Sequence, residues 1–432
     1  MRRMKFVWIA IAVAGLAFGL AACGGDDDDG GPGETQLDLT IGDSVPLSGG
    51  LAVFGPGGDK AAQIAASEIN DAIKQAGVDH NVNLVTEDNE TLPQPAVQAA
   101  RKMVDADGAS CIAGAWASAD TIPTFESVTS REGVLQISPA STSNEVATLD
   151  DPDGLMNRTV IPDAFQGPTL ADLMEQELGK ADGTTVNVGA RNDPYGTGLA
   201  DDFASAWEDR GGTIGEEVIY DPEQPSYDSE ADQITSGNPD AFVIIDFPEP
   251  FNKVGAALVR TGNWDPKRAF GTDGLALGAE GAGNEAVEGF RGTTPGSPSG
   301  EPEKEEFDAL YPEFPPKDVE RGPYDSFNFD AVILCYLAAV AAGSTDGIDM
   351  AAELRDVSGP PGDKFSWQQL PDAIEALQNG DDIDYLGASG EIDMDEAGDA
   401  TEDVYDVWRY KDGEVDLEFD EIQATEEPAP VE

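Results

Sequence analysis

The sequence predicts an α/β protein built as two doubly wound lobes, each a parallel sheet with helices on both faces. Apolar segments of strand length alternate with segments of helical periodicity, and this alternation restarts near the middle of the chain. Such βαβ alternation is typical of parallel sheets. The length of 432 residues exceeds one compact domain, and 40% hydrophobic residues suffice for two cores.

The first half of the body shows the alternation most clearly. Ala61, Ile64, Ala65, Ile69 and Ile73 recur at helical spacing after a β-rich segment that begins at Leu37. We predict strands at 37–45, 82–88, 111–114 and 134–137, and helices at 57–73, 95–104 and 122–128, the last one started by a proline.

The second half repeats the rhythm and then departs from it. Leu170, Leu173, Met174 and Leu178 form one apolar helix face. We predict strands at 186–190, 212–220, 241–246 and 269–272, and helices at 199–207 and 254–259. Near the end we predict buried helices at 327–342 and 368–377, a hairpin formed by 385–399 and 404–410, and a disordered tail at 421–432.

The N-terminus has the pattern of an export signal. A basic start is followed by an uninterrupted apolar or glycine run at 6–22, which alternatively could anchor the chain as a helix. Leu20-Ala21-Ala22-Cys23 resembles the bacterial lipobox, in which the cysteine is acylated and begins the mature chain. We therefore expect a signal peptide at 1–22, a lipid anchor on Cys23, a flexible acidic tether at 23–35 and an extracytoplasmic body.

The charge excludes nucleic acid as a partner. With 24 Lys plus Arg against 85 Asp plus Glu, the formal net charge is −61, which repels phosphate. The acids are spread along the chain, as in proteins from salty environments, where dense counterions screen the self-repulsion. The alternative is a field that attracts cationic ligands or partners, and we favour the solvated, halophilic surface.

Catalytic and metal-binding motifs do not stand out. The single histidine, His80, is expected in an exposed loop, and Cys111 and Cys335 are expected to be free, packed thiols, although the compartment would permit a disulfide. The sequence offers no strong candidates for a set of zinc ligands, for a nucleophile paired with a histidine, or for a phosphate-binding loop. We therefore expect no metal and no cofactor. With 85 Asp and Glu residues, the sequence does not exclude a pair of catalytic carboxylates. The absence of a catalytic motif nevertheless favours ligand binding over catalysis.

Four segments carry a family resemblance. SVPLSGGLAVFGPGGDKAAQIAASEIN, CIAGAWASADTIPTFESVTSREGVLQISPASTSNE, VGARNDPYGTGLADDF and YLGASGEIDMDEAGD, in this order after a lipobox, resemble the leucine/isoleucine/valine-binding family of ABC-importer substrate-binding proteins, the type I periplasmic-binding fold. The resemblance covers about residues 36–420. It implies two lobes joined by three crossing strands near 158–160, 291–294 and 386–389, with lobe 1 at 36–159 and 293–386 and lobe 2 at 160–292 and 387–420.

The resemblance also implies a binding site for an amino acid. Ser118 and the amide of Ala119 match the positions that hold the ligand carboxylate, while Ala140, Thr142 and Asp273 match those that meet its ammonium group. Serine, threonine, a carbonyl and a carboxylate suit these roles chemically. Ser118 alternatively caps the following helix, and Thr142 begins a capping box that ends at Glu145.

Four aromatic residues are the expected side-chain walls: Phe54, Trp116, Tyr195 and Phe247. Each could equally be core. The sequence departs from the amino-acid binders here, since Trp116 is bulky and Phe54 and Phe247 replace tyrosines. These changes put valine or leucine in particular in question.

The implied function is that of a monomeric, non-catalytic, membrane-anchored receptor that delivers an amino acid or similar zwitterion to an ABC permease. One alternative is a ligand without an ammonium group, such as an amide, urea or an aromatic acid. A second is a ligand-sensing lipoprotein without transport, and a third is an extracytoplasmic hydrolase.

Overall fold

The computed structural model describes residues 36–401 and 404–425, which belong to one compact unit. The signal segment, the tether with Cys23, and the chain from residue 426 lie outside the described residues. The strands are β1 Leu37–Val45, β2 His80–Asp88, β3 Cys111–Ala113, β4 Leu135–Ser138, β5 Met156–Arg158, β6 Thr185–Arg191, β7 Thr213–Tyr220, β8 Ala241–Ile245, β9 Ala269–Gly271, β10 Arg291–Pro295, β11 Asp363–Ser366, β12 Ile383–Leu386, β13 Val404–Lys411 and β14 Glu414–Gln423.

Most helices lie between consecutive strands. The helices are α1 Gly55–Ala76, α2 Pro93–Asp105, α3 Ser118–Thr124, α4 Ser130–Glu132, α5 Asp163–Leu178, α6 Pro194–Asp209, α7 Asp228–Ile234, α8 Pro248–Thr261, α9 Asn284–Val287, α10 Pro302–Leu310, α11 Asp325–Ala342, α12 Gly347–Ser358 and α13 Leu370–Gln378. A π-helical segment, Phe125–Thr129, joins α3 to α4, so the helix predicted at 122–128 starts earlier, and Pro123 lies inside α3.

The predicted α/β class with two large sheets is confirmed, and β11 and β12 form a third, two-stranded parallel sheet. The first sheet has the strand order β2-β1-β3-β4-β5, and all its neighbours are parallel. The second has the order β14-β13-β10-β9-β8-β6-β7 and is parallel except for β13 and β14. We call the first sheet with its helices the first lobe, and the second sheet with its helices the second lobe.

Both sheets are covered on both faces, which explains their apolar strands. In β8, Ala241, Val243 and Ile245 pack in one cluster with α5 and α6, while Phe242 and Ile244 pack in another with α7 and α8. Side chains along the strands of the first sheet alternate in the same way. They pack either in a large hydrophobic cluster around α1 and α11 or in a smaller one around α2. Strand alternation therefore supplies two core layers per lobe.

The chain passes between the lobes three times. It leaves the first sheet after Arg158 and enters α5, which packs on α6; it returns from β10 to α10; and it leaves β12 for β13. β10 stays in the second sheet to Pro295, two residues beyond the boundary predicted at 293.

Two predictions at the C-terminal end are wrong. The strand at 404–410 pairs with β14 and β10 rather than with 385–399, whose first two residues end β12 and pair with β11. The segment 421–423, predicted as tail, is the end of β14. The sequence from Glu414 to Asp420 alternates acidic and apolar residues, a strand signal that the prediction of a tail did not use.

The two cysteines are not free thiols, which corrects our expectation. Cys111 on β3 and Cys335 on α11 form a disulfide, with their Cα atoms 5.9 Å apart. Both segments looked buried in the sequence, and they are buried against one another. α11 is long and apolar enough to cross a membrane, but almost all of it is buried in the first lobe, so it is a core helix.

Candidate functional site

The candidate site lies where the carboxyl ends of strands from both sheets face each other. On the first lobe, β1, β3 and β4 lead into the loops that carry Phe54, Trp116 and Ala140. On the second lobe, β8 and β9 lead into Phe247 and Asp273. Ligands bind at this edge of open α/β sheets because loops and helix starts converge there.

Asp273 is the polar centre of this site. It is buried at 4% exposure, and its two carboxylate oxygens accept hydrogen bonds from different tyrosines. Tyr195 Oη donates to Oδ1 at 2.7 Å, and Tyr324 Oη donates to Oδ2 at 2.5 Å. Burial raises the pKa of Asp273, whereas these hydroxyls lower it. The tyrosines thus favour the ionised form that an ammonium group would require.

Five aromatic rings surround Asp273. Tyr324 meets Phe54 and Trp116 edge to face, at centroid distances of 6.2 and 5.9 Å. Tyr195 and Phe247 stack at 5.4 Å on the second lobe. The four predicted walls are therefore brought together, and Tyr324 joins them. Trp116 fits only because Gly58 faces it, since a Cβ there would lie 2.2 Å from the indole ring.

The predicted carboxylate subsite lies at the start of α3. Ser118 is the first residue of that helix rather than its cap, and its Oγ accepts from Ser141 Oγ at 3.1 Å and from the amide of Ser143 at 3.3 Å. The amides of Ser118 and Ala119 belong to the first turn, where amides lack helical partners. The first turn of α3 therefore has amide donors without helical partners.

The loop that carries Ala140 and Thr142 is held from behind by Arg158. The guanidinium of Arg158 donates to the carbonyls of Ser141 and Ser143 and forms a two-point ion pair with Asp399. No helix starts at Thr142, so the predicted capping box is absent at that position, and the 3-10 turn that follows begins at Val146. The Thr142 side chain is buried at 1% exposure.

A second buried carboxylate, Asp163, escaped the sequence analysis. It begins α5, is fully buried, and neither of its oxygens accepts a hydrogen bond from a described residue at normal geometry. Burial raises the pKa of Asp163 well above its usual range, and the Asp273 carboxylate raises it further, while the Thr142 hydroxyl lowers it. Two features of the sequence could have pointed to Asp163: the preceding Pro162, and its position just after the crossing predicted at 158–160.

The space enclosed by these side chains is small. The cavity measures about 20 Å³, far below the roughly 300 Å³ at the lower end of ligand pockets. It is lined by Leu51, Phe54, Trp116, Ala117, Ser118, Ala140, Tyr195, Phe247, Asp273, Gly274 and Tyr324. Ala119 and Thr142 are outside this lining. The lobes are thus contracted on the site, and entry of a ligand requires them to separate or the rings to move.

His80 is not in the exposed position that we expected. His80 lies in β2 rather than in an exposed loop, and its Nδ1 is 2.9 Å from Tyr336 Oη. Within 36–401 and 404–425, no group of three His, Cys, Asp or Glu side chains is arranged to hold a metal ion.

Comparisons with known proteins agree with this fold. The model of the periplasmic binding protein family matches residues 38–369. A Leu/Ile/Val-binding protein homolog of Brucella melitensis is 26% identical over 379 residues, covering 83% of this chain and 90% of the relative. The leucine-binding protein LivK of Thermotoga maritima superposes with a TM-score of 0.71 at 25% identity, covering 89% of this chain and 99% of that structure.

A further solved structure differs in its ligand. The solute-binding protein of an ABC transporter from R. palustris, solved with benzoate, has a TM-score of 0.70 at 15% identity and covers 91% of this chain and 98% of its own. At that identity the likeness concerns the fold alone.

Proposed function

Because the chain belongs to the periplasmic binding protein family, we propose that it is the extracytoplasmic, lipid-anchored receptor of an ABC importer and that it binds an α-amino acid between its lobes. The family consists of small-molecule binding proteins of the ABC-transporter type, not enzymes, and this chain is one of them. The proposal goes beyond family membership in three respects: the lipid anchor, the amino-acid ligand and a monomeric state.

The environment of Asp273 is the observation that supports an amino acid as the ligand. A carboxylate buried at 4% exposure needs a cation or several donors, and the residues that line the cavity include no Lys, Arg or His. The two tyrosine hydroxyls leave acceptor capacity on both oxygens. A ligand ammonium fits there, with the Ala140 carbonyl and the Thr142 hydroxyl as its other acceptors.

The opposite end of the ligand is proposed to meet Ser118 and the amide of Ala119. The donors of the first turn of α3 suit a carboxylate, so the site would offer acceptors at one end and donors at the other. Between them the aromatic rings offer apolar contact to a compact side chain. This combination supports a zwitterion with an apolar side chain, in line with the leucine-binding relatives.

An aromatic acid is the less favoured ligand. A carboxylate such as benzoate would enter a cleft that already holds the buried Asp273 carboxylate, so like charges would meet in a desolvated site. The aromatic rings alone are compatible with benzoate, but the buried Asp273 opposes it.

Asp273→Asn tests the ligand class. We expect the dissociation constant for L-leucine or L-isoleucine to rise roughly 30- to 150-fold, since a hydrogen bond to a charged group contributes about 2–3 kcal/mol. Calorimetry on the chain from residue 35 onward, in high salt, measures it. Asp201→Asn, an exposed acid on α6, is the matched control and should bind like the wild type.

Two outcomes would contradict the proposal. If 4-methylpentanoate, which is leucine without its ammonium group, binds as tightly as leucine, Asp273 does not meet an ammonium. If amides, urea or aromatic acids bind and no amino acid does, the ligand class is wrong. Deletion of the gene tests transport separately: loss of leucine uptake would support a transport role, and unchanged uptake would support a purely sensory one.

A further inference from the structure

Four aromatic rings surround Asp273, the acidic residue of the ligand cavity. On the first lobe, Phe54 and Trp116 meet Tyr324 at interplanar angles of 61° and 69°. Rings at such steep angles form the corner of a box rather than a stack. Tyr195 lines the cavity from the second lobe, and all four side chains are at most 4% exposed. We call Phe54, Trp116, Tyr195 and Tyr324 the aromatic cage.

The aromatic cage lies at the end of the cavity where the ligand nitrogen is expected. Tyr195 and Tyr324 donate from Oη to the two oxygens of Asp273 at 2.7 and 2.5 Å. Because of these bonds, the edge of each phenol ring is held beside the carboxylate that attracts the nitrogen. Tyr324 also packs against Phe54 and Trp116, so their rings belong to the same end.

Few hydrogen-bond acceptors are available for a free ammonium group, which has three N–H donors. Each oxygen of Asp273 already accepts a hydrogen bond from one tyrosine. The other acceptors assigned to the ligand nitrogen are the Ala140 carbonyl and the Thr142 hydroxyl, and Thr142 lies outside the cavity lining. A nitrogen that carries methyl groups needs fewer acceptors and keeps its positive charge.

The faces of aromatic rings attract cations, and quaternary ammonium ligands within about 6 Å of the ring centres are recognised in this way. Phe247, outside the cage, already binds a cation: the guanidinium of Arg191 lies 3.5 Å from the centre of its ring and is paired with Asp193. Among the described residues, no lysine or arginine lies over a ring of the aromatic cage. These four rings are therefore available to a cation of the ligand.

We propose that the site selects an α-amino acid whose nitrogen is methylated, a betaine-type zwitterion, over one with a free ammonium group. The methyl groups contact the aromatic cage, and the positive charge faces both the rings and Asp273. The ligand carboxylate keeps its place at the start of α3. The inference rests on the proposed function, because it specifies the nitrogen of the zwitterion that binds there.

Glycine betaine and L-valine are the probes that test this selection. They are isomers with the same charge and the same carboxylate, and they differ in whether the apolar carbons are attached to the nitrogen or to the α-carbon. Because their volumes are nearly equal, the contracted cavity must open to a similar extent for both. Calorimetry on the chain from residue 35 onward, in high salt, should give a dissociation constant about tenfold lower for glycine betaine, the equivalent of about 1.4 kcal/mol.

Phe54→Leu removes one ring of the cage and keeps an apolar side chain. It should raise the dissociation constant of glycine betaine about tenfold and leave that of L-valine nearly unchanged, because an aliphatic side chain packs against valine but does not attract a cation. Phe203→Leu, which removes a buried ring stacked on Trp207 outside the cavity lining, is the matched control and should change neither constant. Thermal melting of each variant checks that it is folded.

Binding of L-valine that is as tight as that of glycine betaine, or tighter, would overturn the inference and leave the proposed function standing. Equal weakening of both ligands in Phe54→Leu would also overturn it, since the ring would then be only an apolar wall.

Choline separates the two proposals, because it is a quaternary ammonium ion without a carboxylate. If choline binds as tightly as glycine betaine and no amino acid with a free ammonium group binds, the amino-acid ligand of the proposed function fails and recognition of a methylated nitrogen by the cage stands. If none of these probes binds, both proposals fail.

Discussion

At the residue scale, Asp273 depends on its two tyrosine partners. Tyr324 immediately precedes α11 in the first lobe, and Tyr195 lies on α6 in the second. The Asp273 carboxylate therefore accepts one hydrogen bond from a hydroxyl of each lobe. The family resemblance led to Asp273 and Tyr195. It did not lead to Tyr324 or Asp163, because each reaches the cleft from a distant segment whose local pattern is that of a helix start.

Tyr324→Phe should make leucine binding more sensitive to acid. The Tyr324 hydroxyl is the largest influence that lowers the pKa of Asp273, so its loss raises that pKa further. A ligand ammonium requires the ionised carboxylate, and affinity is therefore lost as the pH falls through the pKa. We expect this loss to begin at higher pH in the variant, as measured by calorimetry from acid to neutral pH.

The matched control is Tyr336→Phe, which removes a buried hydroxyl on α11 that contacts His80 instead of the cleft. Its pH profile for leucine should follow the wild type. Superimposable profiles for Tyr324→Phe and the wild type would show that Asp273 is not the group that controls binding.

At the element scale, the disulfide joins the central strand of the first sheet to the helix that packs across it. Cys111 lies on β3, between β1 and β4, and Cys335 lies in the middle of α11, with a sequence separation of 224 residues. Cross-linking such distant segments restricts the unfolded chain strongly. The bond therefore contributes to the stability of the lobe whose loops form half of the site.

Replacing both cysteines by alanine should lower the free energy of unfolding by about 3–5 kcal/mol, mainly because the unfolded chain gains freedom. Urea denaturation measures this as a lower midpoint. Wild-type protein unfolded and refolded with reductant should match the variant, while reductant added to the folded protein should do little, because both cysteines have 0% exposure. An unchanged midpoint would contradict the disulfide.

At the scale of the whole molecule, the dominant feature is the negative charge. A formal charge of −61 on 432 residues places many like charges within one Debye length of each other at low salt. Several of the ion pairs in the structure lie on the surface, where they contribute little individually. Mobile cations must therefore supply most of the screening.

We expect the thermal midpoint to rise as KCl increases from the millimolar to the molar range, because counterions screen the self-repulsion of the folded state. Scanning calorimetry on the chain from residue 35 onward measures it. Sucrose is the control for nonionic stabilisation, and a midpoint that rises equally with sucrose and with KCl would contradict a charge-screening origin and the proposed halophilic character.

The sequence by itself determined the class of this protein. Apolar strands buried on both faces, helical periodicity between them and one repetition of the rhythm are local properties, and β1, α1, β6 and β8 lie where they were predicted. Four ordered motifs identified the family, and the resemblance to that family implied the positions of Asp273 and the four aromatic walls. Whether those side chains bind a ligand stays a prediction.

Only the tertiary structure decided which distant segments meet. The disulfide, the pairing of β13 with β10 and the contact of Tyr324 with Asp273 all join residues far apart in the chain. Sequence periodicity reports which face of an element is apolar but carries no information about its partner. The partners are set by packing of whole elements, which depends on all of them at once.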